Sequence, residues 1–184
     1  MRVEKREVLF EGEHIRIRKD YIPQGAWETV ELKRYKRSAI VLAVTEEQEL
    51  ILEKHYRFPV DSYVIELPAG LAEEDEDVEH CARRELLEET GYQANTLIHL
   101  FSGFLCPGLT YIEAHYFYAP NVKYIGMRNL EPTEDIEILK VPLSNVIDFL
   151  LNLPEDVKFG VNVLSGLYAL ENYLKREKRK NYME

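Results

Sequence analysis

Glu85, Glu88 and Glu89 are the residues whose types and spacing point most directly to chemistry. At i, i+3 and i+4 on a helix, side chains lie about 5–6 Å apart at Cβ. On a helical wheel stepped by roughly 100° per residue, Val78, Cys81, Ala82 and Leu86 form one apolar face. Glu85 and Glu89 fall in the middle of that face, and Glu88 lies on its edge. Acids on a soluble helix ordinarily occupy the solvated side. A buried carboxylate is costly unless it is paired or bound to a metal, so three inward acids call for a compensating cation. Oxygen donors with no matching His or Cys set select Mg²⁺ or Mn²⁺ over zinc. The alternative is a charged surface helix whose acids pair with Arg83 and Arg84.

The helix that must carry these acids follows a Pro/Gly turn at Pro68-Ala69-Gly70 and an acidic run, Glu73 to Asp77. Gly91 is its expected C-cap. The elements around it read as strands. Ala39 to Val44 is a continuous apolar run suited to a central strand, and Leu50 to Leu52 begins a partner that runs into His55-Tyr56-Arg57. Val64 to Leu67 is a short strand in which Glu66 is an acid among apolar residues, and Leu97 to Phe101, His115 to Ala119 and Ile136 to Val141 complete the set. Residues 124 to 133 read as a loop, Ser144 as the cap of a helix ending at Leu151, and Val161 to Lys175 as a final helix. Ahead of all this, residues 1 to about 36 alternate as antiparallel strands, with a turn at Pro23-Gln24-Gly25 and a strand from Trp27 to Tyr35. Trp27, the only tryptophan, is either a core residue or an aromatic stacker for a purine base.

The linear pattern is specific. Gly70, five residues, Glu76, seven residues and then Arg84-Glu85-Leu86-Leu87-Glu88-Glu89-Thr90-Gly91-Tyr92 resembles the signature of the Nudix hydrolases, G-x5-E-x7-R-E-U-x-E-E-x-G-U with U a bulky aliphatic residue. Every fixed position is met across 23 residues, and only the last U departs, as Tyr92. The resemblance implies an α/β fold, an α/β/α sandwich around a mixed sheet over residues 38–184, with residues 1–37 as a small N-terminal antiparallel β lobe. It implies hydrolysis of a nucleoside diphosphate linked to another moiety. It also implies a metal set of Glu85, Glu88, Glu89 and the Ala69 carbonyl, with Glu85 and Glu88 serving the chemistry as well. Pro107, 15 residues beyond Tyr92, together with the N-terminal strands and Glu66-Leu67-Pro68-Ala69-Gly70, resembles the ADP-ribose pyrophosphatase branch. The resemblance puts substrate- or metal-contacting residues at Arg57 and Glu66; Trp27, as a base stacker, and Pro107 complete the expected substrate set, and the branch often exchanges its N-terminal strands between the two subunits of a homodimer. Arg57 and Glu66 have a plainer alternative as a strand-to-strand ion pair. Other nucleoside diphosphate sugars, such as GDP-mannose, and a non-catalytic nucleotide-binding domain are the rival readings.

A carboxylate outside the helix is needed as base. Glu134 is the candidate because it stands after a Gly- and Pro-containing loop and just before a strand, where the resemblance implies a loop glutamate, and Glu131, Asp135 and Glu137 are its alternates. Glu113 is one residue out of step with the acid that the branch often keeps at position 112, where this chain has Ile112. On an extended segment one step turns a side chain to the opposite face, so no catalytic role is expected of Glu113.

Composition sets outer bounds. A chain of 184 residues with 46% hydrophobic and 30% charged residues suits one soluble globular domain with a small appended element. A net charge of −10 argues against a nucleic-acid partner. No apolar run approaches the roughly 18 residues of a membrane span, and no signal peptide precedes the first strand. Cys81 and Cys106 form no CxxC, and Cys81, on the apolar helix face, reads as a reduced structural thiol. Cytoplasm is the default expectation.

Overall fold

The computed structural model describes residues 2–181. Residue 1 and residues 182–184, the outer ends of the expected 1–37 and 38–184 spans, lie outside the described residues. The leader forms three antiparallel strands, β1 (Lys5–Glu11), β2 (Ile15–Ile22) and β3 (Gly25–Leu32), in the order β1-β2-β3. The last strand starts at the turn itself and stops before Tyr35, earlier than the alternation predicts.

Next come β4 (Arg37–Val44), β5 (Glu49–Arg57) and β6 (Ser62–Glu66), which neighbour one another in the main sheet. The Pro/Gly segment is not only a turn. Ala69–Ala72 forms β7, antiparallel to the first half of β4 with Ile40 opposite Ala69 and Ala39 opposite Gly70. Helix α1 (Val78–Thr90) follows. The Asp77 side chain caps its first turn by accepting from the N–H groups of Glu79 and His80. Gly91 caps its end at φ 76°, in the left-handed region that glycine adopts without strain.

After the helix run β8 (Tyr92–Gln93), β9 (Ile98–Phe104), β10 (Glu113–Pro120), β11 (Lys123–Tyr124) and β12 (Ile136–Pro142). Then come α2 (Val146–Leu151), β13 (Val157–Phe159) and α3 (Val161–Asn181). The main sheet is mixed: β10 lies parallel to β4 and β13 parallel to β6, while the other pairs are antiparallel. Two further expectations need correction. Ser144 lies inside a single 3-10 turn (Leu143–Asn145) and bonds to the Asn145 side chain, so α2 begins without a side-chain cap. The supposed 124–133 loop gives its first residue to β11, which pairs with β8.

The two faces of β4 explain the sandwich. Ile40, Leu42 and Val44 join Leu50 and Leu52 of β5 in a core with Val146 and Leu150 of α2 and Val163 and Leu170 of α3. The alternate residues Ala39, Val41 and Ala43 join Ile51 in a second core with Cys81, Ala82 and Leu86 of α1. Both faces are covered, which is why β4 reads as an unbroken apolar run. Helix–sheet–helix layering with an N-terminal β lobe is the architecture expected. The lobe docks through Val30 N–H to the Leu109 carbonyl and the Trp27 indole N–H to the Gly108 carbonyl, each at 2.9 Å. Among the described residues no helix is long and apolar enough to cross a membrane.

Candidate active site

Side-chain alternation along β5 brings polar groups to the α1 side of the sheet. Ile51 packs there, so Glu53, His55 and Arg57 face the same way. Glu66 sits opposite Glu53 in the β5–β6 register and accepts from Arg57 Nε at 2.6 Å, so the ion-pair alternative for these two residues is realised. Across from them stands α1. Glu89 is buried, and its Oε2 accepts the Ala69 N–H at 3.0 Å. Glu53 is buried beside Glu89, and its Oε1 has no partner. Burial is the main cause that pushes Glu53 up to about 8, and the Glu66 charge adds to it. Glu89 is also held well above the ordinary carboxylate range, first by burial and then by the Glu53 and Glu85 charges.

Glu85 and Glu88 are held by Arg84. Its guanidinium forks onto both oxygens of Glu76 at 2.9 Å, and Nη1 reaches Glu85 at 2.7 Å and Glu88 at 3.1 Å. The bidentate pair holds Glu76 down at about 2 and raises Arg84. Burial dominates at Glu85 and raises it despite Arg84. Gly70 is required by this packing: a Cβ there would overlap the Glu85 carboxyl. The fixed Gly, Glu and Arg of the signature thus set the position of its first metal-type acid.

A cavity of ≈ 590 Å³ opens between these elements. Glu85, Glu88 and Glu89 enter from α1, Ala69 and Gly70 from β7, His55 and Arg57 from β5, and Glu131 and Glu134 from the loop before β12. His14, Leu32 and Tyr35 reach the cavity from the leader of the same chain. The Glu134 carboxylate accepts the Glu131 N–H at 2.7 Å, closing a tight turn over the site, and its charge acts on Glu53, Glu85 and Glu89. Of the alternates, Asp135 accepts from the Tyr63 hydroxyl at 2.6 Å and Glu137 pairs with Lys54 at 3.1 Å, both away from the cavity. Ile112 is buried, and the Glu113 carboxylate lies 3.8 Å from His115 Nε2 and outside the cavity lining. Trp27 is 58% exposed and is therefore no core residue. Neither it nor Pro107 lines the cavity; the Trp27 indole instead holds the Pro107-Gly108 turn.

Among the described residues no three acids, histidines or cysteines converge on one point as a metal ion would require. The hydrogen bonds give the reason: Arg84 draws off Glu85 and Glu88, while the Ala69 N–H holds Glu89. The chemistry of the set still fits a hard cation. All its side-chain donors are carboxyl oxygens, burial raises Glu53, Glu85 and Glu89, and one buried oxygen is unpartnered.

Glu53 and His55 escape a reading that begins at the helix, although counting in twos from Ile51 would have found them. Burial lowers His55 to about 4, followed by the Arg57 charge, so it is neutral in the cavity wall at neutral pH. For Glu53 the folded chain binds the proton more tightly than the unfolded chain. Its contribution to stability is fully present below the ordinary 4.5 and is lost as pH rises through about 8. In cation-free buffer the urea midpoint of the wild type should therefore fall between pH 5 and 8 more steeply than that of Glu53→Gln. Parallel curves would refute the buried-acid assignment.

Comparison with known proteins adds the lineage. Residues 34–153 match the family model described as NUDIX domain. The ADP-ribose pyrophosphatase of Bacillus subtilis (strain 168) is 32% identical over 145 residues, 77% of this chain and 78% of that protein. The GDP-mannose pyrophosphatase of Escherichia coli O139:H28 (strain E24377A / ETEC) is 29% identical over 167 residues, 89% of this chain and 83% of that one. The crystal structure of an ADP compounds hydrolase superposes with a TM-score of 0.80 over 97% of this chain and 96% of that chain, at 21% identity.

Proposed function

Because this chain belongs to the NUDIX domain family, we propose that it hydrolyses the pyrophosphate of a nucleoside diphosphate linked to a second moiety. ADP-ribose is the substrate we favour, giving AMP and ribose 5-phosphate. One observation carries this reading: the three acids of α1, Arg57 and the Glu134 turn share a single cavity that the leader helps to wall. The ADP-ribose preference rests on the relative from Bacillus subtilis and on the leader strands.

Glu85, Glu88, Glu89 and the Ala69 carbonyl would hold the divalent cation, Mg²⁺ or Mn²⁺. Such a cation, when bound, neutralises pyrophosphate charge and lowers the pKa of the attacking water. Arg57 supplies a fixed guanidinium at the cavity wall for a phosphate oxygen, with Glu66 holding its Nε in place. Glu134 accepts the proton of the attacking water as its oxygen bonds to phosphorus. The P–O bond to the bridging oxygen breaks, and that oxygen leaves on the second phosphate.

The deciding experiment is a panel of ADP-ribose, GDP-mannose, dinucleotides and NTPs with products resolved by chromatography. ADP-ribose should give the highest kcat/KM, and excess EDTA should abolish turnover. A preference for GDP-mannose would replace the substrate assignment. No turnover of any member would favour a nucleotide-binding domain instead, a reading that leaves the costly inward acids unexplained.

We also propose that the protein is a homodimer built through the leader. Val8, Phe10 and Trp27 on its strands and Leu105, Leu109 and Tyr111 near its docking turn are large apolar side chains left exposed in the single chain, which supports this reading. The full chain should sediment as a dimer, and deletion of residues 1–36 should give a monomer with weakened substrate binding. A full-length monomer at assay concentration would refute this. The free thiols of Cys81 and Cys106 accord with a cytoplasmic setting.

A further inference from the structure

The Glu134 turn is fastened to the end of α1 by the loop that follows β11. The last carbonyls of a helix have no partner within it, and here that loop supplies the donors. Asn129 N–H donates to the Glu88 carbonyl at 2.8 Å, and Ile125 N–H to the Gly91 carbonyl at 2.9 Å. Arg128 does more than cap. Its Nε–H donates to the Glu89 carbonyl at 2.7 Å and Nη2–H to the Ile136 carbonyl at 2.9 Å. One end of this bridge is the backbone of a cavity acid, and the other is the first residue of β12, two positions after Glu134. A planar guanidinium holds two acceptors in fixed relation, which an ammonium on a flexible stem does not. Its charge is also favourable at a helix C-terminus. Gly91 leaves space for the arrangement, since a Cβ there would lie 2.9 Å from the Tyr124 ring and 3.2 Å from Arg128 Cγ.

The geometry points to Arg128 as a positioning residue for the base: it holds the Glu131–Glu134 turn in register with Glu85, Glu88 and Glu89. The inference rests on the reading of Glu134 as the proton acceptor, and a double-mutant cycle separates the two. Turnover of ADP-ribose with Mg²⁺ would be measured for the wild type, Arg128→Gln, Arg128→Lys, Glu134→Gln and the Arg128→Gln/Glu134→Gln double variant, with thermal unfolding of each. Arg128→Gln should lower kcat about tenfold, the scale of one charge-assisted hydrogen bond, with KM within about twofold. Arg128→Lys should recover part of the loss. With Glu134→Gln already present, the same change should cost less than about twofold, because its effect runs through the missing group.

An equal loss in both backgrounds, or an unchanged kcat in the single variant, overturns the positioning role while leaving the base intact. A shift in thermal stability with no change in kcat makes Arg128 a helix cap only, and likewise overturns it. Glu134→Gln at the wild-type rate removes the base reading itself, and this inference with it. Should Arg128→Gln fail to fold, Arg128→Lys carries the comparison: a kcat loss that disappears beside Glu134→Gln supports the role, and one that persists refutes it.

Discussion

Glu89→Gln is expected to lower kcat on ADP-ribose by at least about 10²-fold, the scale of losing one preorganised electrostatic contact in an active site. Glu89 is the most enclosed of the three α1 acids, with Ala69 N–H on one oxygen and Glu53 beside it. The amide keeps the shape and can still accept from Ala69, so packing is preserved. What it loses is the negative charge that a divalent cation would need. The fold should survive and even gain stability in cation-free buffer, because a neutral amide avoids the cost that burial imposes on the carboxylate. Steady-state kinetics with Mg²⁺, paired with thermal unfolding without it, separate the two effects. Full turnover by the variant would remove Glu89 from the cation-holding set. Lost turnover together with a collapsed fold would make its role structural.

Much of this arrangement is legible in the sequence because α1 states its own limits. Asp77 and Gly91 cap it, and the apolar wheel positions Cys81, Ala82 and Leu86 do pack on the sheet. The β7 strand is hidden because Pro68 and Gly70 punctuate it like a turn. It forms because β4 divides its edge, pairing with β7 over Arg37–Ile40 and meeting β5 only at Val44 and Leu50. That division puts Gly70 and Ala69 against Glu85 and Glu89, a long-range consequence that no local pattern carries. The three residues of β13 are too few for periodicity to mark, and their pairing with β6 is set by tertiary packing. Glu53 is hidden for a different reason. An acid four residues before Arg57 looks like one end of a surface ion pair until the strand's two faces are assigned, and both prove to be covered.

The acid outside the helix gives the second large effect. Glu134→Gln should lower kcat by about 10²–10⁴-fold, the usual contribution of a positioned general base, with little change in KM. Five acids could be argued from sequence, and their surroundings rank them. Asp135 is committed to Tyr63 and Glu137 to Lys54, so each has a structural partner outside the cavity. Glu113 lies toward His115 on β10, and the buried Ile112 occupies the position where an acid would have been useful. Only Glu131 and Glu134 of the five line the cavity, and Glu131 meets the Glu134 carboxylate through its backbone N–H. The backbone also closes the turn, Glu134 N–H donating to the Glu131 carbonyl at 3.0 Å, so a water and substrate that engage the Glu134 carboxylate have one contact to replace while the turn is kept. Glu113→Gln, Asp135→Asn and Glu137→Gln should each cost under about tenfold, roughly 1.4 kcal/mol of barrier. Glu131→Gln should fall between these and Glu134→Gln. Steady-state kinetics of the five single variants on ADP-ribose tests the ranking, and a dominant loss at Glu113 would mean that the β10 strand presents its other face to the substrate.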